Sequence, residues 1–162
     1  MVSVPRFLCD AMLGSLARWL RLFGFDCLFS LEEDSVLVET AAREGRWLLT
    51  RDRELAARGP RTLLVRSETL EDQLVEVFGR LGIEAEPTLE GARCAACNGP
   101  LKDAARKEVA AGVPPFVART APRFRRCTLC GRVYWPGTHT ARILERMRRV
   151  VDRTGSPVEA AR

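Results

Sequence analysis

Arg46-Trp47-Leu48-Leu49-Thr50-Arg51-Asp52 holds the clearest buried-strand signal in the chain, a short apolar run entered from Gly45 and followed by an acid. The first 88 residues repeat this plan on either side of it. Arg6-Phe7-Leu8-Cys9 is a short apolar run ending at Asp10. Leu13, Leu16, Leu20 and Phe23 then fall at helical spacing, with Arg18 and Arg21 off the stripe, and Gly24 stops the helix. Phe25–Phe29 reads as a second strand, interrupted by Asp26. Asp34 is placed to cap a helix that runs to Arg43 and stops at Gly45. After Asp52 comes a short helix or turn, then a strand over Thr62–Val65. Thr69 opens a last helix with Leu70, Leu74, Val77, Phe78 and Leu81 on one face. Strands alternating with helices predict an α/β domain built on a parallel sheet with right-handed crossovers.

Downstream, Cys94-Ala95-Ala96-Cys97 and Cys127-Thr128-Leu129-Cys130 supply four thiolates, the full tetrahedral shell of a structural zinc ion. Each pair is followed closely by glycine, Gly99 and Gly131, which lets the chain turn its N–H groups back toward the sulfurs. Two disulfides are the alternative reading of the same cysteines. A closed four-thiolate site has no open position for substrate, so chemistry is sought elsewhere. The segment from Glu84 to Gly91 reads as a linker. In the lobe beyond it, Lys102–Ala111 is predicted helical, Val113–Phe116 extended and Arg132–Trp135 a strand. A final helix places Arg142, Arg146, Arg149 and Arg153 in one row and Ile143, Met147 and Val150 on another side. The expected partition is a domain over residues 1–88, a cysteine lobe with a basic helix over 89–153, and an irregular tail over 154–162.

At 162 residues the chain can bury one ordinary core and a small satellite. No apolar run is long enough to cross a bilayer, and the first residues lack the build of a signal peptide. Cys9 and Cys27 read as buried, reduced thiols, so a reducing cytoplasm is expected. Residues 1–100 hold 12 Arg and no Lys against 16 acids, a balance of −4, whereas residues 101–162 have a balance of +9. An acidic body joined to a basic lobe fits either a polyanion such as nucleic acid or a solvated charged surface.

Ligands of open parallel sheets bind beyond the carboxyl ends of the strands. Asp10 and Asp52 each follow a strand, and Asp34 opens the helix after another, so all three are expected on that edge. Asp26, early in its strand, is expected farther away. Each acid taken singly is also a plausible helix cap or turn residue. Together they are hard oxygen donors suited to Mg²⁺ or Mn²⁺ and to phosphodiester hydrolysis.

The run Phe7–Arg21, Gly24-Phe25-Asp26, Leu48–Leu55, the two cysteine pairs and Val133-Tyr134-Trp135-Pro136-Gly137-Thr138-His139 resemble the Mut-seven C-terminal RNase domain family, over roughly residues 6–147. The resemblance implies a PIN-like three-layer domain, a zinc ribbon, and cleavage of RNA by acids with a divalent metal. It assigns Asp10, Asp34 and Asp52 to metal-binding positions and Asp26 to another acidic position. Cys94, Cys97, Cys127 and Cys130 match the ribbon thiolates.

Around these groups, Arg18, Arg51, Arg142, Arg146 and Arg149 are candidates for phosphate contacts, against surface or ion-paired arginine as the plainer reading. Arg21 and Arg53 fit the plainer reading better. Gln73 faces either the site or solvent. His139, the only histidine, either donates a proton or contacts RNA near Tyr134 and Trp135, or simply lies near the start of the final helix beside a packed aromatic strand, and packing is the better reading of Tyr134 and Trp135. The expected function is a metal-dependent ribonuclease acting on RNA, with a structural Zn²⁺ and a catalytic Mg²⁺ or Mn²⁺. A non-catalytic RNA-binding module and a protein-interaction adaptor are the alternatives.

Overall fold

The computed structural model describes residues 4–155. Strands β1 (Phe7–Cys9), β2 (Cys27–Phe29), β3 (Trp47–Thr50) and β4 (Thr62–Leu64) form a parallel sheet in the order β2-β1-β3-β4. Helices α1 (Gly14–Leu22), α2 (Asp34–Glu44) and α3 (Arg53–Ala56) join successive strands, and α4 (Leu70–Leu81) follows β4. The pleat sorts the strand residues between two faces. Phe7, Cys9, Leu49 and Leu63 pack with Leu16 and Leu20 of α1 and Leu74, Val77 and Phe78 of α4. Leu8 and Leu48 point the other way, onto Leu37 and Ala41 of α2 and Leu55 of α3. The result is the expected three-layer α/β arrangement, in which the central strands β1 and β3 are buried on both sides because both sides are covered.

Two local readings change here. Phe25 and Asp26 stand outside β2, because pairing with β1 begins at Phe7↔Cys27. Asp34 is the first residue of α2 rather than its cap. The cap position belongs to Glu33, in extended backbone and with no side-chain cap bond.

The second lobe is an antiparallel sheet of β5 (Leu101–Ala104), β6 (Phe124–Cys127) and β7 (Val133–Tyr134), in that order. Short helices α5 (Arg106–Val109) and α6 (Pro115–Thr120) fill the loop between β5 and β6 and build a small core of Val109, Val113, Ala121 and Phe124. Two expectations are corrected in this lobe, and one strand was not foreseen. Lys102–Ala104, expected helical, lie in β5, where pairing to Phe124–Arg126 outweighs local propensity. Phe116, expected extended, is helical: Pro115 sits at the first position of α6, where its missing N–H leaves no bond unmade. Strand β6 carried no sequence signal strong enough to be read.

Helix α7 (Thr138–Gly155) follows the ribbon in sequence but packs along α4 in space. Met147 and Val150 are fully buried, and Val150 joins the core above the large sheet. Thr154 and Gly155, expected in the tail, close this helix, and residues 156–162 lie outside the described residues. Gly24 marks where the linker crosses the end of α1. Its φ is +93°, and a Cβ there would stand 2.9 Å from the Gly91 carbonyl oxygen, so neither the backbone nor the space admits a side chain.

Candidate carboxylate site and four-cysteine cluster

Asp10 directly follows β1, and Asp52 follows β3 by two residues, so a parallel sheet sends both to its carboxyl edge. Asp34 begins the helix after β2 on the same edge. Asp10 is only 6% exposed. One of its oxygens accepts the Met12 N–H at 3.0 Å and the other the Thr50 hydroxyl at 2.5 Å. Thr50 Oγ1 in turn accepts the backbone N–H of Asp52 at 2.9 Å, which links β1 to β3 through the side chains of Asp10 and Thr50. Asp52 caps α3, with one oxygen accepting from Glu54 N (2.7 Å) and Leu55 N (3.1 Å). Asp34 is half-buried and lies 3.6 Å from Arg58, a loose and partly exposed pair.

The edge therefore gathers the three acids without closing them into one shell. Among the described residues, the only group of three or more His, Cys, Asp or Glu ligands lying within 4.8 Å of one another is the four cysteines. The donor chemistry nevertheless fits a hard divalent cation: among the described residues, the second oxygen of Asp52 makes no hydrogen bond, and Asp34 is held only by Arg58.

Asp26 stands apart, at the opposite end of β2. Its carboxylate receives both arms of Arg46, at 2.8 and 3.2 Å, and the Asn98 side-chain N–H at 2.7 Å. Asn98 also accepts the Cys27 N–H at 3.0 Å. Arg21 donates to the carbonyls of Cys27, Ala95 and Ala96. Asp26, Arg46, Asn98 and Arg21 thus clamp the first cysteine knuckle onto the edge strand of the large sheet. Removing Asp26 as Ala leaves nearly buried Arg46 with Glu44 as its only carboxylate and Asn98 without an acceptor. We expect a loss of about 1–3 kcal/mol in urea unfolding at neutral pH; an unchanged midpoint would deny the clamp any weight. Burial pushes the Asp26 carboxyl up, but Arg46 and Asn98 outweigh it and hold it below its ordinary value. Its contribution is therefore fully present above an ordinary Asp pKa of about 3.9 and is lost as pH falls through the lowered one.

The candidate basic residues separate on inspection. Arg51 reaches the Ser67 carbonyl at 3.3 Å, and Gln73 is buried with its N–H on the Ser67 and Glu68 carbonyls. Gln73 thus faces neither site nor solvent: it holds the loop before α4. Arg146 and Arg149 both bind Glu71 at 2.9 Å, and Arg153 binds Asp72 at 2.5 Å. Arg146 also covers the Trp19 ring at 5.2 Å. Most of the arginine row is therefore turned onto acids of α4, the ion-paired reading of that row. Arg142 makes no ion pair among the described residues, and Arg18 is exposed on α1 without a hydrogen-bond partner there.

The four cysteines lie as sequence spacing predicts. Cys94 Sγ is 3.6 Å from Cys130 Sγ, and Cys97 Sγ is 3.4 Å from Cys127 Sγ. A tetrahedral shell with Zn–S bonds of about 2.3 Å sets its sulfurs roughly 3.8 Å apart, so the cluster has the size and donor set that zinc takes. No two of these sulfurs stand at the roughly 2.05 Å of a disulfide bond, so the arrangement has the geometry of a ligand set rather than of two bridges. Leu129 N and Cys130 N point at Cys127 Sγ, at 3.4 and 3.5 Å. A Cβ on Gly99 would stand 2.6 Å from Cys127 Sγ, so that position must lack a side chain. Burial alone would raise the Cys94 thiol, but hydrogen bonds from Tyr134, Cys97 N and Ala96 N bring it down to about 6. Cys97 receives the Gly99 N–H, yet burial and the neighbouring sulfurs push it up to about 12. Thiols this close cannot all ionise unless a cation shares their charge.

Tyr134 stands 3.0 Å from Cys94 Sγ, so its hydroxyl supports the cluster from outside, a role that packing alone did not suggest. His139 is the second residue of α7, exposed, and faces a cleft together with Trp135 rather than the carboxylate edge.

An α/β domain with acids along the carboxyl edge of its parallel sheet, joined to a four-cysteine ribbon, has the plan of a nuclease-type protein. The chain matches the model of the Mut7-C RNAse domain over residues 5–147, nearly its whole length, and belongs to that family. Neither curated proteins nor solved structures yield a match. No helix among the described residues is long and apolar enough to cross a membrane.

Proposed function

We propose that the protein is a metal-dependent ribonuclease that hydrolyses RNA phosphodiesters at the carboxyl edge of its large sheet. The observation that carries this reading is the position of Asp10. In a chain of an RNase family, a carboxylate 6% exposed is held at the end of β1 by Thr50 and Met12 N, beside the turn after β3 that carries Asp52. Asp10 also caps the short turn of helix over Ala11–Leu13, but a neutral Asn or Ser would cap it as well, so the cap does not account for the charge. Asp10, Asp34 and Asp52 would hold Mg²⁺ or Mn²⁺, which supplies charge neutralisation and water activation in phosphodiester hydrolysis. Thr50 fixes the Asp10 carboxylate, and the caps to α3 fix that of Asp52, so both are oriented before substrate arrives. Arg58 neutralises Asp34 until a stronger cation displaces it. In the same reading zinc closes the ribbon and plays no part in the chemistry.

A binding module without cleavage is favoured by one observation: the three carboxylates do not meet within 4.8 Å as a ligand set. Labelled RNA and DNA incubated with Mg²⁺, Mn²⁺ or EDTA separate the two. Cleavage that depends on divalent metal and is absent from an Asp10→Asn preparation supports the enzyme. Retained RNA affinity without cleavage under either metal supports the module.

A further inference from the structure

A cleft of about 440 Å³ lies at the junction of the two lobes, and none of Asp10, Asp34 or Asp52 lines it. Arg18 and Leu22, one turn apart on α1, form one wall. Trp135, His139 and Ile143, after β7 and along the start of α7, form another. Four arginines (Arg18, Arg93, Arg123 and Arg125) line it against one acid, Glu90. Three of the four are engaged: Arg93 with Asn98, Arg123 with Glu90 and Asp103, and Arg125 with the Leu89 and Leu101 carbonyls. Arg18 and His139 have no side-chain hydrogen-bond or ionic partner among the described residues, and Trp135 is 36% exposed. Unspent positive charge beside an exposed indole and an apolar floor matches an anion that carries a flat ring.

We propose that this cleft seats one nucleotide of a single-stranded RNA away from the bond to be cut, with its base on Trp135 and its phosphate at Arg18 and His139. The strand's identity rests on the ribonuclease reading above. The connection between the two places is α1. It begins four residues after Asp10, and Arg18 lies one turn further, about 6 Å along the axis at 1.5 Å per residue. A strand crossing the carboxylate edge therefore reaches the cleft by following α1. Aromatic stacking tolerates any base, so the subsite adds affinity without dictating sequence.

The test is the anisotropy of a labelled ten-nucleotide RNA titrated in EDTA, where no cleavage occurs. Trp135→Ala is expected to weaken binding roughly 5- to 100-fold, the range for loss of one base stack, whereas Trp135→Phe keeps most of it. Arg18→Gln is expected to flatten the salt dependence by a slope of roughly 0.7. Zinc content and thermal midpoint measured on each variant confirm that the fold is intact. Affinities that superimpose for wild type, Trp135→Ala and Arg18→Gln overturn the subsite, even if the wild type cleaves RNA with Mn²⁺. An adenosine monophosphate titration that depends on Trp135 while RNA binding does not would make this a free-nucleotide site and also overturn it. A wild type that never cleaves, yet binds RNA through Trp135, leaves the subsite standing and removes the enzyme.

Discussion

Asp10→Asn should abolish metal-dependent RNA cleavage, by at least about a thousandfold, while the protein stays folded. Charge stabilisation by a bound metal is worth several kcal/mol in the transition state, and each 1.4 kcal/mol or so is a factor of ten. An amide keeps the shape of the carboxylate but not its charge. The cost to folding is small by comparison. Asn can still accept the Met12 N–H through its carbonyl, and its N–H₂ can donate to Thr50 Oγ1, the present donor at 2.5 Å. Thr50 would then turn its own proton elsewhere, and the net change is about 1 kcal/mol. Initial cleavage rates set beside a urea unfolding curve decide the matter. Cleavage at the wild-type rate by a preparation free of contaminating nuclease would move the active site away from this edge. Loss of cleavage together with loss of cooperative unfolding would say only that Asp10 is structural; Asp52→Asn, on a more exposed residue, then serves as the second variant.

Removal of one ribbon thiolate should have a comparably large effect on structure. Binding a structural zinc is worth about 10–16 kcal/mol near neutral pH, far more than the core of Val109, Val113, Ala121 and Phe124 can supply. Cys127→Ser, or exhaustive chelation, is therefore expected to unfold β5–β7, while the four-stranded sheet persists on its own two-sided core. Hydrogen exchange should show protection lost across residues 93–135 and retained in β1 and β3. With zinc bound, the knuckle of Cys94 and Cys97 would be held from both sides, by the metal and by Asn98 and Arg21, so its amides should exchange last within the lobe. Elemental analysis should return about one zinc per chain. Uptake of zinc at neutral pH should release protons, that of Cys97 among them, because its thiol is held up to about 12 by its neighbours. A metal-free ribbon with full protection would refute the assignment.

The two halves of the chain were unequally legible. In the first half, short continuous apolar runs alternate with stripes of period 3.6, as a sheet whose central strands are covered on both sides requires. Local pattern and tertiary demand agree there, so β1, β3, β4, α1 and α4 were readable. In the ribbon they disagree. Lys102–Ala104 carry no strand pattern, and only the facing residues of β6 make a strand of them. Proline marked the wrong state at Pro115 and Phe116 alone, Val113 and Pro114 being extended as read, since the same residue that breaks a helix interior begins a helix well.

The sequence by itself determined the parallel sheet, the four-cysteine cluster and the edge on which Asp10, Asp34 and Asp52 lie. Each depends on short spacings or on strand order, and neither needs side-chain coordinates. Only the tertiary structure decided what the remaining charges do. Asp26 and Arg46 are 20 residues apart and Arg149 and Glu71 are 78 apart, and no local pattern announces either pair. The arginine row of α7 is regular in sequence whether it meets RNA or α4. It meets α4 because Met147 and Val150, on another side of the same helix, must be buried against the core. Burial of an apolar stripe thus chose the partners of the arginines, and it left Arg18, His139 and Trp135 as the unspent groups at the junction of the two lobes.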